Sequence, residues 1–125
     1  MSVTVLRPRE RLQLDQENLA ALIAGLGPRD GQLAICRTLE AMAEALLEAE
    51  AAWRESDFDR LAEYALKIAA LASRVGMPVV ARVAREIVPL CAGVDDAALC
   101  AVVARLSRLA ESALFDIWDV EGLSL

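Results

Sequence analysis

The 125-residue chain contains no histidine. That absence removes the imidazole from any scheme of general acid–base catalysis, nucleophilic catalysis or metal binding. Aromatic residues make up only 4 % of the sequence, so a core must be built from Leu, Val, Ile and Ala. The cysteines Cys36, Cys91 and Cys100 are odd in number and form no CxxC pair. Neither a disulfide framework nor a zinc site is indicated, and each thiol reads as a small buried hydrophobe. No uninterrupted apolar run approaches the ~20 residues of a membrane span. Arg7, Pro8 and Arg9 near the start are not followed by the apolar segment of a signal peptide. A cytoplasmic protein with no membrane partner is expected. Basic charge is also scarce: thirteen Lys and Arg face nineteen Asp and Glu, a net charge of −6. Such a surface repels a phosphate backbone, and no nucleic-acid partner is expected.

What the sequence has in quantity is aliphatic side chains. Hydrophobic residues reach 57 %, and many are alanine, which lets helices pack closely. The length suits one domain, which buries roughly two-thirds of its unfolded surface. Residues 1–13 read as a flexible leader, 14–118 as one helical domain and 119–125 as a tail. A short first helix is expected from Asp15, with Leu14 and Leu19 spaced as a hydrophobic staple, stopping at Gly25 and Gly27 before Pro28. A second helix is expected from Asp30 to about Glu55. Leu33, Cys36, Leu39 or Glu40, Ala43, and Leu46 or Leu47 recur there at a helical period. Glu40, Glu44 and Glu48 share one face of it. Di-iron bundles pair such glutamates with an ExxH element, which is absent, so a solvated acidic face and no metal are expected.

A third helix is expected near Ser56, where Ser56 and Asp59 form a weaker capping box, closing at Gly76. Its apolar face runs through Leu61, Ala65, Ile68, Ala69 and Ala72. Pro78 suits the first turn of a fourth helix, and Pro89 should kink that helix or trim its final turn before Gly93. The last helix is expected from Asp95, with Val94 and Leu99 as a staple and Leu99, Val102, Val103, Leu106, Leu109 and Leu114 as its stripe, continuing toward Trp118. Helices joined by short connections predict an all-α fold, an up-and-down antiparallel four-helix bundle with an additional short N-terminal helix.

The stretch Ala65-Leu66-Lys67-Ile68-Ala69-Ala70-Leu71-Ala72-Ser73-Arg74-Val75-Gly76-Met77, within this order of helices, resembles the histidine phosphotransfer (HPt) domain of two-component signalling. The resemblance covers roughly Leu14 to Leu114. In that family a glycine follows the phospho-accepting histidine by ten residues. Anchored on Gly76, Leu66 stands at the histidine position, Ile68 at the family's leucine, Ala69 at its lysine and Ala70 at its glycine. A second register, anchored on Leu66-Lys67, places Tyr64 at the histidine position but requires two extra residues before Gly76, so the first is preferred. The motif is degenerate in both.

The resemblance implies a bacterial, cytoplasmic signalling domain whose partner is a receiver domain or a histidine kinase. Leucine has no lone pair, so phosphotransfer is excluded. Helix geometry sets Leu66 about 100° from the centre of the apolar face, beside Ala70 and Ser73 and near Asp59. Leu66, Lys67, Ala70, Ser73 and Arg74 are the partner-docking candidates. Arg82 with Arg85, and Arg105 with Arg108, share helix faces and add basic charge suited to an acidic receiver pocket. A competing expectation is a structural bundle that dimerises through an apolar face including Tyr64 and Leu71. An enzyme is not expected, since no catalytic motif, phosphate loop or cofactor signature is present.

Overall fold

The computed structural model describes residues 24–93 and 95–120, with side chains as far as Ala113. The expected leader, the start of the first helix, the Val94 half of the last staple and residues 121–125 lie outside these. Residues 24–26 are helical, and Gly27 at φ 85° breaks the chain before the next helix. The bounded helices that follow are α1 (Pro28–Arg54), α2 (Phe58–Arg74), α3 (Pro78–Cys91) and α4 (Asp96–Val120). No strand occurs among the described residues. The fold is all-α. The last helix runs two residues beyond the expected domain limit at 118.

α1 starts at Pro28 rather than Asp30, because a proline at the first helical position loses no hydrogen bond the helix would have made. Its buried face is Ile35, Thr38, Leu39, Met42, Ala45, Leu46, Ala49 and Ala52. The expected stripe was partly out of phase: Leu33 and Leu47 point to solvent, 47 % and 66 % exposed. Thr38, the one buried polar side chain among the described residues, returns its hydroxyl to the Ala34 carbonyl at 2.9 Å. Its hydroxyl is thereby not left unpaired in the apolar interior.

The two corners α1–α2 and α2–α3 are built alike. In the first, Ser56 N–H donates to the Trp53 carbonyl at 3.1 Å and Asp57 N–H to Ala52 at 2.9 Å. In the second, Gly76 N–H donates to Ser73 at 3.4 Å and Met77 N–H to Ala72 at 2.8 Å. Both are Schellman closures, which satisfy the last helical carbonyls and need one left-handed residue. Ser56 (φ 56°) and Gly76 (φ 72°) supply it. Ser56 is therefore committed to ending α1, and the cap of α2 falls to Asp57, whose carboxylate accepts from Arg60 N–H at 3.2 Å. This replaces the expected Ser56–Asp59 box. At α4, Asp95 is the cap, accepting from Ala98 N–H at 2.9 Å.

Pro89 sits inside α3, which ends two residues later. Ala92 and Gly93 close the end with bonds to Pro89 and Leu90, three residues back. The proline thus trims the final turn, as its missing N–H dictates. Each helix packs against the next, and α1 also meets α4. The shared core carries fully buried Met42, Leu61, Ile68, Val80, Ile87 and Leu106, with alanines between them.

The two corners differ in strain. A side chain held in the left-handed region costs about 1 kcal/mol that glycine avoids. Ser56→Gly is expected to raise unfolding stability by about 0.5–1 kcal/mol, and Gly76→Ala to lower it by at least about 1 kcal/mol. Urea titrations followed by circular dichroism check both; a destabilised Ser56→Gly protein would contradict the assignment.

Candidate functional site

α2 divides cleanly. Leu61, Ala65, Ile68, Ala69 and Ala72 are buried. Leu66, Lys67, Ala70, Ser73 and Arg74 are all exposed, with Leu66 at 53 %. Leu66, Ala70 and Ser73, spaced by four and three residues, lie along one line of the helix surface. The leucine is thus flanked on its own helix by two short side chains that leave space above the backbone. Ala69, at the family's lysine position, is buried and offers nothing to a partner. Gly76 is buried in the turn that closes α2.

The side of α2 toward α3 is marked by Arg85, whose Nη2 donates to Ser73 Oγ at 3.0 Å. This contact brings a cation from α3 alongside the Leu66–Ser73 line. Arg82, one turn earlier on α3, is also exposed. The α3 arginines were legible as a pair in the sequence, but the meeting of Arg85 with Ser73, twelve residues away, needed the three-residue corner.

The opposite side of α2 faces α1. Arg60 donates to Glu55 at 2.8 Å and to Glu48. These contacts, the hydrogen bond donated to Glu48 first, hold its guanidinium above its ordinary pKa. Glu48 is thus drawn out of the expected solvated row, whereas Glu40 and Glu44 stay exposed. Tyr64 lies half-buried against the core, with Arg60 and Lys67 6.0 and 5.9 Å from its ring centroid. The ammonium of Lys67 therefore leans toward Tyr64 rather than toward Leu66. Of the five docking candidates, Leu66, Ala70 and Ser73 form the shared line, and Lys67 and Arg74 flank it. Tyr64 and Leu71, on the apolar arc expected for dimerisation, are both partly buried against the core.

Among the described residues no cluster of three or more His, Cys, Asp or Glu is arranged to hold a metal ion, and no helix is long and apolar enough to cross a membrane. No family model matches the chain, and no curated protein or solved structure matches it either.

All three cysteines are free; Cys36 and Cys91 are half-buried and Cys100 is exposed. Burial, and then the Asp59 carboxylate, push the Cys91 thiol above its ordinary pKa. A raised pKa leaves less thiolate at a given pH, and thiolate is the reactive form. At neutral pH, alkylation of Cys91 in the folded protein is expected to lag behind Cys100, with the gap closing in denaturant. Peptide mass spectrometry over a time course checks this; equal rates in the folded protein would contradict it.

Proposed function

We propose that this chain is a non-catalytic HPt-like signalling domain that docks on a receiver domain or a histidine kinase in the cytoplasm and takes up no phosphate. The proposal includes the up-and-down antiparallel four-helix arrangement of that family, with a short helix before it. The observation that carries it is Leu66, a large apolar side chain held in solvent at the register position where the family keeps its histidine. A relay histidine must be exposed to reach its phosphoryl donor; a leucine there presents a contact surface and no nucleophile.

Two further features support the reading. Helices packed in sequence order, with the first also meeting the last, suit an up-and-down bundle. Arg85 beside Ser73, with exposed Arg74 and Arg82, sets positive charge at the Ser73 end of the Leu66–Ser73 line, while exposed Asp59 and Glu63 lie toward its Leu66 end. The basic end complements an acidic receiver pocket and speeds encounter more than it tightens the complex. With no imidazole anywhere in the chain, an aspartyl phosphate on the partner keeps its phosphoryl group. The domain then acts as an adaptor, or competes with a true relay protein for the same face.

The test is titration of the purified protein into receiver domains and kinases from the same organism, followed calorimetrically. At least one is expected to bind. Leu66→Asp is expected to weaken that complex by about tenfold or more, the effect of losing a buried apolar anchor, with helical content unchanged because Leu66 supports no core contact. A phosphorylated receiver incubated with the protein is expected to transfer no label. Absence of any binding partner, or a complex indifferent to Leu66→Asp, would overturn the proposal.

A further inference from the structure

Helix α1 carries a second exposed apolar feature, on a different element from Leu66. Leu33 and Leu47 are 47 % and 66 % exposed. Fourteen residues span close to four turns, so the two project from one side of α1 about 21 Å apart. Between them Arg37, Glu40 and Glu44 are exposed, and helix geometry sets all three within about 40° of the line through Leu33. Along this face the order is therefore apolar, positive, negative, negative, apolar. Among the described residues, none of the three charged groups forms an ion pair within the chain. Glu48, by contrast, is tied to Arg60 and stands at the edge of this face.

That order is complementary to itself in one orientation. A second copy of α1 laid antiparallel, with the two-fold axis at Glu40, sets Leu33 opposite Leu47 of the second copy, and Leu47 opposite its Leu33. Arg37 then lies opposite position 43 of the second copy, within a turn of both its Glu40 and its Glu44. The axis generates the reciprocal contact, as an isologous interface requires. The two Glu40 carboxylates that meet at the axis are each flanked by a guanidinium from the other copy. A parallel copy in register would instead oppose Arg37 to Arg37 and Glu44 to Glu44. The charges thus select the antiparallel pairing.

We infer that the outer face of α1 is a homodimer interface, closed by a second copy of this chain packed antiparallel across Glu40. A single helix face is smaller than the ~800 Å² per partner of a standard stable interface, so the dimer is weak and concentration-dependent. It does not depend on the docking reading, because Leu66 and its neighbours are on α2.

Sedimentation velocity over a wide range of concentrations tests the inference. The unaltered protein is expected to pass from monomer to dimer as concentration rises. Leu33→Asp combined with Leu47→Asp is expected to abolish the dimer. Arg37→Glu alone, and Glu40→Arg combined with Glu44→Arg, are each expected to weaken self-association. An equimolar mixture of these two charge-reversed proteins is expected to associate at least as well as the unaltered protein. All the altered side chains are exposed, so circular dichroism should show unchanged helicity. A strict monomer at the highest soluble concentration would overturn the inference. So would a dimer insensitive to these substitutions, or a loss of association that mixing does not recover.

Discussion

Close approach of helices through alanine is the constraint on which the rest of the structure depends. Ala45, Ala49 and Ala52 on α1, Ala65, Ala69 and Ala72 on α2, Ala81 and Ala84 on α3, and Ala110 and Ala113 on α4 are all at most 3 % exposed. With few aromatics available, these positions let helix axes approach toward the lower end of the usual 8–10 Å spacing. Larger residues such as Met42, Ile68, Ile87 and Leu106 fill the space between them. Once Ala65, Ala69 and Ala72 commit one side of α2 to the interior, the helical repeat leaves Leu66, Ala70 and Ser73 no place except the surface. The exposure of Leu66 follows from the packing of its small neighbours.

The apolar face of α2 and the glycine that ends it were legible in the sequence, because each follows from local periodicity and from the backbone freedom of one residue. The α1–α2 corner was not. Ser56, Asp57 and Asp59 are all capable of capping, and the pattern favoured Ser56 with Asp59. The choice is made by the carbonyls of Ala52 and Trp53, which require Ser56 in a left-handed conformation to be satisfied. The stripe on α1 was partly misplaced: of the open alternatives Leu39 and Leu46 are the buried ones, but Leu33 faces solvent, and Ile35 and Met42, which take the core, were overlooked. An Ala-rich helix has apolar residues on more than one side, so periodicity alone does not select the buried one. The Glu48–Arg60 and Ser73–Arg85 contacts each join residues twelve apart across a corner, and only the corner's geometry brings them together.

The chain has no histidine, and α2 presents an exposed leucine at position 66. That surface of α2 presents a leucine, two small neighbours and, at Ser73, an arginine from the adjoining helix. What it offers is shape, apolar area and positive charge, the ingredients of recognition. α1 offers a separate face whose charges are ordered against each other, so the two surfaces need not compete.

The proposed function requires a signalling partner to dock on the α2–α3 surface around Leu66. Backbone amide chemical shifts of the isotope-labelled protein, followed while a cognate receiver domain is added, test it most directly. The largest changes are expected at Leu66, Ala70, Ser73 and Arg85, with α4 little affected. Shifts confined to α4 or to the outer face of α1, or no shifts with any receiver or kinase, would contradict it.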